Sequence, residues 1–233
     1  MTDVRQLPVL LRGEPKPIGT WVREWTSGRM WLYVVVIIAG AGAYGAAMGS
    51  WRAPEQALFT AIKFPLVILL TSLGNALLNG MLASLLGMNI GFRQCLLVIF
   101  MSFTIASAIL GSFSPLMFFI VWNTPPAAHV ASADAAAYGF MQLAVVGVIS
   151  FAGIMANLRL VPLLRELSGS RAVPLRVLFA WLAGNLLLGS QIVWLMRPFI
   201  GDPTIPVEFL TRHALEGNFF EAVFHDICRL IFS

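Results

Sequence analysis

Four side-chain amides are the residues of this chain best placed to do chemistry in apolar surroundings. Asn75 and Asn79 stand four apart and so share one helical face, with Ser72 about one turn before and Gly74 one position off. Asn185 follows an Ala-Gly pair on a later apolar stretch, and Gln191 closes a Gly-Ser-Gln run on the same stretch. Amides donate and accept hydrogen bonds without carrying charge. Two uses follow: they hold helices together by pairing, or they line a polar path for a small solute. The titratable residues offer less. His225 and Cys228 lie three apart and His129 lies near Asp134, but two ligands do not make a metal site. None of the G-x-S-x-G, G-x-x-x-x-G-K-[ST] or H-E-x-x-H motifs occurs, and no Asp or Glu falls inside an apolar run. The residues therefore point to a non-enzymatic protein without cofactor or metal. Proton- or cation-coupled transport is disfavoured, because its usual carboxylate relay is missing.

The elements that must position these amides are membrane spans. Of 233 residues, 58% are hydrophobic and 11% charged, with mean hydropathy +0.83; an average soluble domain is roughly 25% charged. The stretch 57–87 is apolar with a single charge, Lys63, and is longer than the roughly 30 Å hydrocarbon core requires. Tilt or a kink at Pro65 accommodates it, and Lys63 lies near enough to its start to snorkel to the headgroups. Span 30–49 carries Gly45 and Gly49 in GxxxG spacing, for packing within the chain or for a homodimer seam. The run 95–122 is interrupted by Ser112, Ser114 and Pro115, which predicts a kinked span or a span plus a short bent segment. Span 138–158 has a small-residue face of Gly147, Ser150 and Gly153, and span 174–196 carries Asn185 and Gln191. The expected fold is all-α: a polytopic bundle of five transmembrane helices in one membrane domain, 30–197.

Both ends of the chain are expected to lie on membrane surfaces. In segment 1–29, Pro8, Gly13, Pro15 and Pro17 predict irregular backbone up to Gly19, followed by an interfacial helix with Trp21 and Trp25 one turn apart. In the tail, 198–233, Asn218 and Glu221 form an asparagine version of a capping box. Phe220, Phe224, Ile227 and Ile231 then share one face of an amphipathic helix too short and too charged to span. That face must dock, and a protein partner is the expected surface. Ten basic residues (Arg5, Arg12, Lys16, Arg23, Arg29, Arg93, Arg159, Arg165, Arg171 and Arg176) fall on the N-terminal side. The positive-inside bias puts that side in the cytoplasm and the C-terminus outside. The same partition accounts for the net charge of +4 without nucleic acid.

The layout resembles the Yip family of membrane proteins. The likeness is carried by five spans, by the proline-started span KFPLVILLTSLGNALLNGMLASLLG and by the GMNIGFRQ turn after it, and it covers about 54–195. Eukaryotic members are associated with Rab GTPases and vesicle membranes. The tail after GSQIVWLMRPFIGDP departs from the family's short external end. With short loops and no organelle signal, a bacterial inner-membrane location is expected. The function expected is a structural or accessory subunit of a membrane complex, in contact with lipids and other membrane proteins or with copies of itself. The alternative is a small permease or lipid-handling protein with an amide-lined cavity.

Overall fold

In lipid, backbone polar groups find partners only within the protein, so long apolar runs become helices. The computed structural model describes residues 6–24, 26–85, 91–125, 135–168, 173–201, 206–211 and 214–221. Among them are α1 (Gln6–Arg12), α2 (Pro15–Arg23), α3 (Ser27–Gly49), α4 (Pro54–Leu85), α5 (Phe92–Trp122), α6 (Ala135–Ser168) and α7 (Val173–Met196), and no strand. Helices α3 to α7 are each long and apolar enough to cross a membrane, which makes the chain the expected five-helix membrane bundle.

Helix α5 is the centre. Cys95, Leu97, Val98, Ile99, Met101, Ile105 and Met117 are all buried on it, and it packs against α3, α4 and α6. Close approach of α3 requires the absence of side chains. A Cβ on Gly40 would lie 2.1 Å from the Ser107 carbonyl oxygen, and one on Gly111 would lie 2.9 Å from Gly40 Cα. On the other flank of α3, a Cβ on Gly45 would lie 2.6 Å from Thr60 O, and one on Gly49 2.7 Å from Gln56 O. The GxxxG pair therefore seats α4 of the same chain. Helices α6 and α7 are peripheral, with 22% and 11% of their apolar windows buried against 44 to 56% for α3, α4 and α5. They are the pair most open to lipid.

Of the two expectations for the run around Pro115, the single span holds: α5 is one continuous helix through it, with Ser112 Oγ and Ser114 Oγ bonded back to the carbonyls of Ile109 and Leu110; neighbouring helices support such prolines in membranes. Two other boundaries differ from expectation. Helix α6 continues past Pro162 to Ser168, so Arg159 and Arg165 stand on a helix rather than in a loop. The N-terminal stretch forms two short helices instead of irregular chain. Pro8, Pro15 and Pro17 all fall in first turns, where the missing N–H has no intrahelical partner to lose. Gly13, at φ +69°, turns the chain between them.

The N-terminal pair packs onto the bundle by burying Leu10, Ile18 and Val22, a burial worth about 1.5–3 kcal/mol per side chain. Arg29, read from sequence only as an orientation charge, ties this unit together. Its guanidinium donates to Gln6 Oε1 at 3.2 Å, Trp21 O at 2.8 Å and Glu24 O at 2.9 Å, and lies 5.4 Å from the Trp21 ring centre.

Candidate functional site

The polar residues of α4 fall in two groups, Gln56, Thr60 and Lys63, then Thr71, Asn75 and Asn79, spaced three or four apart within each group and eight apart between them. All six are buried. This spacing puts them on one broad face of the helix, turned toward α7 and the chain that leaves it.

In the inner half of the stripe the amides meet one another. Asn79 Nδ2 donates to Asn75 Oδ1, and Asn75 Nδ2 donates to Asn185 Oδ1 across the α4–α7 contact; Trp181 O lies 3.5 Å from the same Asn75 nitrogen. Gly184 permits the approach, because a Cβ there would lie 2.6 Å from Asn75 Oδ1. Asn75 and Asn79 are wholly buried and pair dry, while Asn185 is partly exposed. Gln191 stands apart from them. Its Oε1 accepts the Phe219 N–H at 3.4 Å and holds the chain that follows α7. The reason is axial: Gln191 is six residues beyond Asn185, about 9 Å further along the helix.

In the outer half the partners are main-chain carbonyls of 198–199. Gln56 Nε2 donates to Pro198 O and Phe199 O, both at 3.0 Å, Thr60 Oγ1 lies 2.6 Å from Phe199 O, and Lys63 Nζ donates to Pro198 O at 3.1 Å. The Lys63 ammonium also faces the Phe209 ring, 5.1 Å from its centre. Instead of snorkelling outward, Lys63 is buried beneath this segment, where a carbonyl dipole and an aromatic face supply the electron density that water would. Pro198 and Phe199 lie just beyond the end of α7, where no helical N–H reaches their carbonyls, and α4 supplies the donors. Sequence reading missed Gln56 and Thr60 as members of the site; their i, i+4 spacing with Lys63 at i+7 was the available signal.

A cavity of about 280 Å³ lies beside the amides, between α4, α5, α6 and α7. Its walls are chiefly apolar, among them Phe64, Phe103, Leu110 and Val193, with Thr71, Asn157 and Asn185 as its polar residues. Thr71 Oγ1 is buried and has no hydrogen-bond partner. Asn157 is engaged with its own helix through Gly153 O at 2.8 Å. The chemistry these lining residues support is hydrogen bonding to an uncharged group on an apolar guest.

Compared with known proteins, the chain matches no family model, no curated protein and no solved structure.

Of the tail residues, Phe220 is described. It is partly exposed and stacks edge-on with Phe219 at 5.4 Å. Asn218 caps the helix that starts there: its Oδ1 accepts the Glu221 N–H at 2.9 Å and its Nδ2 lies 3.3 Å from Glu221 Oε2. Phe224, Ile227 and Ile231 lie outside the described residues, as do His129, Asp134, His225, Cys228 and Trp25. Among the described residues no three His, Cys, Asp or Glu side chains gather as a metal site.

Proposed function

We propose that this five-span protein is a non-enzymatic accessory subunit of a membrane assembly, in a bacterial inner membrane with its N-terminus in the cytoplasm. One contrast within the chain supports the reading most. Gly40, Gly45, Gly49 and Gly111 each meet a neighbouring helix so closely that an added Cβ would lie within 3 Å of it. On α6, Gly139, Gly147 and Gly153 meet nothing within 4 Å. A small-residue face in a membrane helix lets another backbone approach, and this one is vacant in the isolated chain. Leu143 and Val146 stand exposed beside it. The dry pairing of Asn75 and Asn79, with Asn75 also bonded to Asn185, argues in the same direction, because amides already engaged with one another hold the bundle closed instead of wetting a path. The layout resemblance to the Yip family agrees with a role exercised through membrane contacts. Orientation rests on the arginine partition, and the arginine-bearing end of α6 does lie with the N-terminal pair, Arg159 donating to Arg12 O.

The test is a photo-crosslinking amino acid at Val146, with Leu58 on α4 as an exposed control, in intact cells. A discrete protein adduct from Val146 that is lost with Gly147→Leu is the expected result. An adduct between two differently tagged copies of this chain would replace the hetero-partner by a homo-oligomer. Lipid adducts alone at Val146 would refute the subunit reading. They would favour a lipid-handling protein built on the 280 Å³ cavity and its unpartnered Thr71 hydroxyl.

A further inference from the structure

A second cavity, a groove of about 400 Å³, runs between α5 and α6 on the side away from α7. Its walls are two matched stripes at i, i+4, i+8: Ile105, Ile109 and Phe113 on α5, and Phe151, Met155 and Arg159 on α6. The helices are antiparallel, so Arg159 stands at one end, near Ile105 and beneath Leu11 of α1. At the other end Phe113 and Phe151 close the groove edge-on, 5.9 Å between ring centres. Eight residues of helix separate Phe151 from Arg159, which makes the apolar trough about 12 Å long. The sole charge in its lining is the Arg159 guanidinium.

We propose that this groove binds one anionic phospholipid, with an acyl chain along the α5–α6 trough and the phosphate on Arg159. Charge complementarity selects this occupant. Arg159 Nη1 donates to the Arg12 carbonyl at 2.6 Å, and its stem crosses the Gly13 turn, where a Cβ would lie 2.9 Å from Arg159 Cδ. The guanidinium is thus positioned at the mouth with further N–H donors still available, since it has five. Among the described residues no carboxylate pairs with it. The nearby ion pair of Arg12 with Glu14, at 3.9 Å, is largely solvent-exposed and leaves this corner net positive. The polarity gradient also matches a lipid: the charge lies toward the end of the bundle that carries α1 and α2, and the apolar trough leads from it toward the bilayer centre. Basic pockets between spans on the cytoplasmic side are suited to anionic headgroups. A free phosphate would leave the trough empty, and a zwitterionic lipid would bring its own cation to a corner that is already net positive.

The test uses the full-length protein in mild detergent, titrated with dioleoyl phosphatidylglycerol or dioleoyl phosphatidylcholine and read by native mass spectrometry. One phosphatidylglycerol should be retained in preference to phosphatidylcholine by roughly fivefold or more, the increment of one arginine near an anionic surface. Arg159→Gln should bring the ratio to about one, while Arg159→Lys, which keeps the charge, retains a preference and controls for loss of the Arg12 contact. Ser112→Phe, filling the trough from an exposed position, should weaken both lipids. The proposal is overturned if the wild type shows no preference, if Arg159→Gln keeps it, if Ser112→Phe binds as the wild type does, or if millimolar inorganic phosphate displaces the lipid.

Discussion

The amide chain across α4 and α7 makes a prediction that separates a structural contact from a wet path. Asn75 is its middle member, donating to Asn185 and accepting from Asn79. Interhelical hydrogen bonds in membranes contribute about 0.6 kcal/mol on average and at most about 1.7. Asn75→Ala removes one interhelical bond, to Asn185, and one within α4, from Asn79, and leaves the Asn79 nitrogen buried without a partner, beside an Asn79 Oδ1 that already lacks one; the expected loss is about 2 kcal/mol. Asn185→Ala removes one and should cost about 0.6 kcal/mol. Alanine is the right probe, because leucine at position 75 would add a steric clash with the closely packed Gly184. The double variant should be less destabilised than the sum of the singles by about 0.6 kcal/mol, the coupling of the shared bond. Reversible unfolding in mixed micelles, followed by helical circular dichroism, provides the measurement. If the single substitutions leave stability unchanged, or the pair is additive to within about 0.3 kcal/mol, the amides do not hold α4 to α7 and the dry-pairing argument fails.

Gly40→Ala places a methyl 2.1 Å from the Ser107 carbonyl oxygen, a backbone atom that moves only if α3 and α5 separate. It should destabilise by about 1–3 kcal/mol, whereas Gly147→Ala, with nothing within 4 Å, should stay within about 0.5 kcal/mol; equal effects in the same unfolding assay would contradict the packing described. For orientation, in a background lacking Cys95 and Cys228, an impermeant maleimide applied to intact cells should label a cysteine at Leu215 and spare one at Glu24. The reverse pattern would move the N-terminus outside, and labelling of both positions would end the five-span topology.

The five spans were legible because each apolar run exceeds what a soluble core uses, and in lipid such runs have only helix open to them. Asn75 and Asn79 were legible as a pair from their spacing, and Asn185 as a polar residue on another span. Gln191 was grouped with them by residue type, which carries no information on depth along two helices that meet at an unknown level; its partner is the Phe219 N–H. The N-terminal helices were hidden by prolines that read as breakers until their positions are known; in a first turn the same prolines cost nothing in hydrogen bonding. Arg159 was counted as part of a basic loop, although its i+8 relation to Phe151 becomes visible once α6 is carried through to Ser168.

The outer half of the α4 stripe was illegible for a different reason, which bears on how the bundle is closed. Gln56, Thr60 and Lys63 find their partners in the carbonyls of Pro198 and Phe199, and main-chain acceptors are identical at every position of a sequence. What makes these two special is that α7 ends at Met196, so the carbonyls just past its end have no helical N–H to receive. A cation is favoured there, because the C-terminal end of a helix carries partial negative charge. Lys63 thus lies where α7's dipole, a carbonyl and the Phe209 ring act together, which helps accommodate an ammonium in a buried stripe of a membrane helix. Gln56 and Thr60 flank it on the same face. The first three turns of α4 consequently hold the chain just past α7 by side chains, while the amides further along bind the two helices directly. One stripe on one helix performs both tasks, and α7, the least buried of the five spans, is held to α4 by these polar contacts together with the packing of its buried Val177 and Trp181 in the core.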